Sequence, residues 1–460
     1  MVPFSRFTHI NQLFLLARII ASHNIPVHLL CLPEFNKDLK PRLKDEYFEV
    51  AKNIHFKDIL LSQDEYCRTT EDVDDELVLS IMELLEKQSE AIQRTCLELS
   101  TNTKKLVIIY DSIMKDYLGD VHSYPNIETC IFHSGSAISK YSLLRQSVDD
   151  LEVVDGGGDG DDNDHEKLIK QMHEEFPAMD SCFPPGMDIF EKDLYEWDLN
   201  SGEFMISSRE IEGKYLDLLA KAKNKKPLWA FGPLHMLLSS SSSSSRNKDP
   251  RHECLEFLDN QDLNSVIYVS FGTGTALSKE QVNELAFGLE KSNQRFIWVI
   301  GKGDHSNTND NNNTIELPQG FEERVKGRGM AVRNWVPQLE ILGHPSTGGF
   351  LSHCGWNSCM ESISLGVPII AWPNEWDQPY NAVLVTKVLK IGISLSNCTR
   401  NNELITSKSI EKSVKILLDT AEGEEMRKRA VELSNKIKSS VSPGGVTAKE
   451  VESFISYITK

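Results

Sequence analysis

Residues 353–362 read HCGWNSCMES, with an imidazole, an indole, an amide, a hydroxyl and a carboxylate crowded around Gly355. The apolar run before them and the helix-forming residues after them describe a strand, a tight turn and a helix. A helix start presents N–H groups and a partial positive charge, which together suit a phosphate. Asn357 and Ser358 can donate to phosphate oxygens there, and His353 adds a third donor. A plainer reading needs no ligand: Ser358-x-x-Glu361 also fits a capping box.

The wider stretch decides between these readings. From Trp335 to Gln378 the chain reads WVPQLEILGHPSTGGFLSHCGWNSCMESISLGVPIIAWPNEWDQ, 44 residues. This resembles the signature of the plant secondary-product UDP-glycosyltransferases: W-x-P-Q, HCGWNS, E, G-V-P, W-P and a closing D-Q, in order and at the family's spacing. The resemblance implies an α/β protein of the GT-B fold, two facing Rossmann-like domains with a cleft between them, and a UDP-sugar as donor substrate. Trp335 would stack on the uracil, a contact worth about 1–3 kcal/mol per base, with Val336 beside it and Gln338 bonding the uridine. Glu361 would accept from the ribose hydroxyls, a carboxylate being an acceptor only. His353, Asn357, Ser358 and Thr273 would hold the diphosphate, and Trp356 would make backbone contacts to the sugar. Asp377 and Gln378 would bind sugar hydroxyls, a closing Gln going with glucose and a His with galactose. No metal is implied.

Joining a sugar to an alcohol also needs a base for the hydroxyl proton. A neutral imidazole suits, with an ordinary pKa of about 6.5, provided a partner fixes its tautomer and steadies the imidazolium. PFSRFTHINQ resembles the family's first strand–helix loop, P-F-P-A-Q-G-H-L-N-Q, and aligns His9 with the catalytic histidine. IIYDSIMKD resembles the loop bearing its aspartate, Asp111. The bland alternatives are a helix-start neighbour for His9 and a capping or turn residue for Asp111. Thr8 stands where the family has glycine, Ser5-Arg6-Phe7 replaces Pro-Ala-Gln, and MVPF opens the chain without the residues that complete the family's first strand. Segments such as NSVIYVSFGTGTALS and DQPYNAVLVTKVLKIGI look most like the zeatin O-glycosyltransferases, which put glucose or xylose on the side-chain hydroxyl of that cytokinin. Flavonoids and terpenoids are the alternative acceptors. Trp376 and Tyr380 read as acceptor-pocket lining or as core.

These groups need elements to position them. Ile10, Leu13, Phe14 and Ala17 follow the i, i+3, i+4, i+7 stripe of an amphipathic helix. IPVHLLCL and KKLVIIYDS read as buried strands, the second ending on Asp111. The pattern restarts with NSVIYVSFG, a capping box at Ser278-x-x-Gln281, a stripe of Val282, Leu285, Ala286 and Leu289, and RFIWVI, a second βαβ unit. Strand–helix alternation predicts a parallel sheet covered on both faces, with ligands beyond the carboxyl ends of its strands. The expected division is an acceptor-binding domain over 1–236 and a serine-rich linker over 237–250. A UDP-sugar-binding domain over 251–440 follows, and then a helix over 441–460 packing back on the first domain. The acidic stretch 149–166 and DHSNTNDNNNT are expected to be surface loops.

Bulk properties exclude other classes. The 460 residues suggest two or three domains, and a formal charge of −19 argues against nucleic acid or an anionic membrane as partner. Nine acids lie in 149–166. Nine cysteines with no C-x-x-C pair read as reduced thiols of a cytoplasmic protein. No apolar run reaches the roughly 18 residues of a membrane span, and the sequons at Asn312 and Asn397 carry little meaning without secretion. A monomer is expected. A Rossmann oxidoreductase is the first rival, but SFGTGTAL has Leu277 in place of the third small residue and no acidic residue about 20 positions on. The second rival is a non-catalytic UDP-sugar binder. DGGGDGDDND does not line up with a calcium loop and its flanking helices and is expected to be a solvated loop.

Overall fold

The computed structural model describes residues 1–43, 48–60, 75–148, 200–222, 226–239, 251–272, 277–301, 315–395 and 404–460. The acidic stretch, Thr273, the 304–314 loop, Asn312, Asn397 and the linker beyond residue 239 lie outside them. Leu237 and Leu238 belong to a short helix, Leu234–Ser239. The chain divides into two compact units. One comprises Met1–Ala137, the described part of 185–247 and Lys438–Lys460; the other holds the remainder.

In the first unit, helix α1 (Phe7–Ala21) buries Ile10, Leu13, Phe14 and Ala17, the four residues of the stripe. β1 (Val27–Cys31) pairs in parallel with β2 (Ile54–Asp58). Helix α2 (Asp75–Thr101) leads to a second parallel sheet of β3 (Leu106–Asp111), β4 (Ile127–His133), β5 (Gly202–Met205) and β6 (Leu228–Ala230). The short amino terminus joins the two sheets. Met1 N donates to His28 O at 2.6 Å and Leu30 N to Met1 O at 3.0 Å, while Val2 N donates to Ile109 O at 2.8 Å and Asp111 N to Val2 O at 2.9 Å. Two residues therefore do the ladder work of a central strand, and counting them first gives the doubly wound order 3-2-1-4-5-6 along β2, β1, Met1–Val2, β3, β4 and β5.

The C-terminal helix, Val446–Thr459, closes one face of this sheet. Phe454 is fully buried, edge-on to Trp229 at 5.1 Å and near Phe204 and Phe231. The indole N–H of Trp229 is satisfied by Ser453 Oγ at 3.2 Å, and Tyr457 donates to Ser201 O at 3.1 Å. Val451 is buried, and Ile455 and Ile458 pack partly buried on the same core.

The second unit is a single six-stranded parallel sheet. Its strands are β7 (Val266–Ser270), β8 (Arg295–Val299), β9 (Gly329–Val332), β10 (Thr347–Ser352), β11 (Ile369–Ala371) and β12 (Gly392–Ser394), in the order β12-β11-β10-β7-β8-β9. Read from β9, this is again 3-2-1-4-5-6, with the reversal between β7 and β10. Its helices include α3 (Glu253–Asp259), α4 (Lys279–Ser292), α5 (Gln338–Leu342), α6 (Trp356–Leu365) and α7 (Gln378–Val383). Ser278 caps α4 by accepting from Gln281 N at 3.2 Å, and Val282, Leu285, Ala286 and Leu289 are buried. The Gln281 amide does not complete the box; it exchanges two bonds with the Ile405 backbone.

Phe454→Ala should remove about 3–5 kcal/mol from the first unit, as truncation of a fully enclosed ring does. Denaturant unfolding checks this, and a loss below about 1 kcal/mol would show that the helix docks by other means.

Candidate active site

The first constellation sits where the sheet order of the first unit reverses. His9 lies on the opening turn of α1 and Asp111 is the last residue of β3. His9 Nδ1 is 2.7 Å from Asp111 Oδ2; the carboxylate is fully buried and the imidazole 19% exposed. The other oxygen, Oδ1, accepts from Ile113 N at 3.2 Å and caps the following 3-10 turn. Asp111 is thus both a capping residue and the imidazole's partner. An ionised carboxylate only accepts, so Nδ1 carries the hydrogen and Nε2 keeps the basic lone pair. Ser134 Oγ, just beyond β4, lies 3.0 Å from the same Nδ1, and the Phe4 ring meets the imidazole edge-on at 5.2 Å.

The departures from the family loop are accommodated. Ser5 Oγ donates to Gln88 Oε1 on α2 at 3.1 Å. The Arg42 guanidinium lies 5.0 Å over the Phe7 ring and donates to Asn11 Oδ1 at 2.8 Å. Thr8 stands exposed within α1, where no positive φ calls for glycine.

The second constellation occupies the corresponding reversal of the other sheet. Between β10 and α6, Cys354 adopts φ 64°, a left-handed conformation that costs a non-glycine residue about 1–2 kcal/mol. Asn381 holds it, donating from Nδ2 to Cys354 O at 2.9 Å and to Asp377 Oδ2 at 3.0 Å. One buried amide therefore ties the HCGW corner to the DQ loop. The N-cap of α6 is Gly355 and no side chain caps it, so Ser358 is the third helical residue. The capping-box reading of Ser358 and Glu361 is overturned, because the N-cap is a glycine.

His353 is wedged between two glycines. A Cβ on Gly272, itself at φ +73°, would come within 2.9 Å of the ring, and one on Gly355 within 2.5 Å of Nε2. Burial pushes this imidazole down to about 4, opposed only in part by a hydrogen bond with the Ser270 backbone. At neutral pH it offers an N–H dipole and no charge.

Trp335 and Val336 point opposite ways. Val336 is buried against Cys254 and Leu258, whereas 79% of Trp335 is exposed. Gln338 is held between Tyr268, whose hydroxyl donates to Oε1 at 3.0 Å, and Glu361, which receives Nε2–H at 2.6 Å. Ser358 Oγ lies 3.3 Å from the same amide nitrogen. Burial raises the Glu361 carboxyl above its ordinary value, with the Gln338 amide opposing. Asn357 is on the first turn of α6 and Trp356 is buried at its start. Gln378 Oε1 accepts from the N–H groups of Asn374 and Glu375 at 2.9 and 3.2 Å, leaving its amide donors for other partners. Tyr380 is 1% exposed and is core, while Trp376 is half-buried at φ 60°. Ser134, Asn381 and the Ser5–Gln88 contact escaped the sequence reading; for Ser134 the usable signal was its place just past a strand's carboxyl end. Among the described residues no cluster of His, Cys, Asp or Glu could hold a metal ion, and no helix is long and apolar enough to cross a membrane.

Residues 1–236 match the family described as glycosyltransferase, N-terminal domain, and residues 212–438 match UDP-glucoronosyl and UDP-glucosyl transferase. Zeatin O-glucosyltransferase of Phaseolus lunatus is 39% identical over all of this chain and 96% of its own length. Zeatin O-xylosyltransferase of Phaseolus vulgaris is 37% identical over all of this chain and 97% of its own. The apo structure of Phytolacca americana UGT2 superposes with a TM-score of 0.77 at 26% identity, covering 100% of this chain and 99% of that one. The same protein complexed with UDP-2fluoro-glucose and pterostilbene gives 0.76 at 26% identity, over 99% and 98%.

The raised Glu361 carboxyl has a consequence for stability. A group whose folded value lies above its unfolded one stabilises at low pH and loses that contribution as pH rises through the folded value. Denaturant unfolding of ligand-free protein should therefore find Glu361→Gln gaining on wild type as pH rises from the ordinary 4.5 toward neutrality; a gap independent of pH would contradict it.

Proposed function

The chain belongs to the UDP-glucoronosyl and UDP-glucosyl transferases and has the GT-B fold, and from this we propose that it moves glucose from UDP-glucose to the side-chain hydroxyl of zeatin. It is a UDP-sugar-dependent glycosyltransferase; the choice of sugar, acceptor and residue roles is the proposal. The observation that carries the chemistry is the 2.7 Å bond between His9 Nδ1 and the buried Asp111 carboxylate.

In this reading the acceptor oxygen attacks C1 of the glucosyl group from the face opposite UDP. His9 Nε2 takes the hydroxyl proton, the C1–O bond to the diphosphate breaks, and a β-glucoside and UDP leave. Asp111 steadies the imidazolium, as a fixed carboxylate does for a general base. Trp335 receives the uracil, Glu361 the ribose and Gln338 the uridine. The start of α6 with Asn357, Ser358 and Thr273 meets the diphosphate, donors fixed in advance of the charge they stabilise, and His353 lines the same seat. Asp377 and the free amide of Gln378 take sugar hydroxyls. For UDP to engage Glu361 and Gln338, their mutual hydrogen bond must be exchanged for bonds to the ribose and uridine.

Zeatin is supported by full-length identity of 39% and 37% to the two zeatin enzymes, one named for glucose and the other for xylose. The closing Gln378 favours glucose. The ladder bonds of Met1 and Val2, which seat Asp111, favour a working catalyst over a binder without turnover. The six described cysteines are buried and in no disulfide, in keeping with a reducing compartment such as the cytoplasm.

Mass spectrometry after incubation with UDP-glucose or UDP-xylose and zeatin, a flavonol or a terpenoid alcohol tests this. The expected product is zeatin plus one hexosyl unit, with UDP-xylose giving less. Glycosylation of the flavonol or terpenoid alone would overturn the acceptor, and the absence of any product would overturn the activity.

A further inference from the structure

The tryptophan of the WVPQ loop is held by a histidine to which no role has yet been given. His252 is the N-cap of α3, and its Nδ1 accepts from Cys254 N–H at 3.2 Å. A ring nitrogen that accepts a hydrogen bond cannot carry a hydrogen, so the proton of the neutral imidazole is on Nε2. That Nε2 lies 3.3 Å from the carbonyl oxygen of Trp335. The carbonyl is an acceptor only, so the direction is fixed: Nε2–H donates to Trp335 O. One imidazole thus uses one face to cap a helix and the other to grip the loop.

The grip falls on the point where the loop is otherwise undetermined. Val336 is anchored by burial in the cluster that also contains Cys254 and Leu258, and Gln338 N donates to Val336 O at 3.0 Å. The indole of Trp335 itself is 79% exposed, so burial does little to orient it. What remains free to turn is the peptide joining Trp335 to Val336, whose carbonyl is the one His252 takes. We propose that His252 is a positioning residue for the donor nucleotide, clamping the main chain of Trp335 so that the indole is presented to the base before UDP arrives. This rests on the reading of Trp335 as the base platform.

His252→Asn separates the two jobs, because Asn is a good N-cap but too short to span from the cap to Trp335. Calorimetric titration with UDP, paired with thermal unfolding, is done on wild type, His252→Asn, Trp335→Ala and the double variant. His252→Asn should melt like wild type yet bind UDP about 2- to 12-fold more weakly, the range for losing one hydrogen bond. Its KM for UDP-glucose should rise with kcat unchanged. Trp335→Ala should weaken UDP more, and adding His252→Asn to it should cost nothing further, since the clamp then holds no indole. His252→Ser, also a cap former, should behave as His252→Asn. Wild-type affinity in both cap-keeping variants, or an equal loss with and without Trp335, would overturn the clamp. Unchanged affinity in Trp335→Ala would instead remove the base-platform reading, and the clamp with it.

Discussion

A carboxylate with no access to water is the constraint around which the first unit is arranged. Asp111 is fully buried, and a buried charge is costly unless every lone pair finds a partner. The carboxylate accepts Ile113 N–H from the turn that follows and His9 Nδ1–H from α1, while the residue's backbone N–H goes to Val2 O. The carboxylate therefore fixes which hydrogen the imidazole must hold and ties the opening turn of α1 to the end of β3, and the backbone of the same strand holds the amino-terminal residues. In the proposed reaction, in which His9 takes a proton, the same carboxylate would turn from hydrogen-bond acceptor to counter-ion without moving. Such preorganisation avoids rearranging solvent during the reaction.

The second unit solves a related problem with no buried ion pair among its described residues. Its polar groups satisfy one another: Tyr268 with Gln338, Gln338 with Glu361, Asn381 with both Cys354 and Asp377. Each bond fixes a side chain or carbonyl at the carboxyl ends of β7 and β10, where the strand order reverses and a crevice is topologically required. His353 stays neutral there because burial outweighs its hydrogen bond, so it contributes a dipole where a cation might have been assumed. In the ligand-free protein the side-chain amide of Gln338 is held by the Glu361 carboxylate, a bond that the proposed nucleotide would have to exchange.

Much of this was legible in the sequence because it is local. The stripes at Ile10–Ala17 and Val282–Leu289 and the strand ending on Asp111 follow from periodicity, and the stretch from Trp335 to Gln378 carries the family by motif. What escaped depends on contacts between distant residues. Ser134 reaches His9 from 125 residues away and Gln88 reaches Ser5 from 83. Asn381 reaches back 27 residues to a carbonyl that looks ordinary until the left-handed turn at Cys354 is seen. Ser358-x-x-Glu361 left a capping box open as the plainer alternative because a capping box and a helix interior can share letters; which residue is the N-cap is set by the turn before it, and that turn puts Gly355 there. Tyr380, an amphipathic residue beside Asp377 and Gln378, is buried by packing that its neighbours in sequence do not report.

The most direct measurement is turnover of His9→Ala alongside its affinity for UDP-glucose. With the imidazole as base, product formation should fall by about 100-fold or more, the usual scale of general-base catalysis, while UDP-glucose binds as to wild type. Near-full turnover, or a loss accounted for by weakened donor binding, would contradict the account.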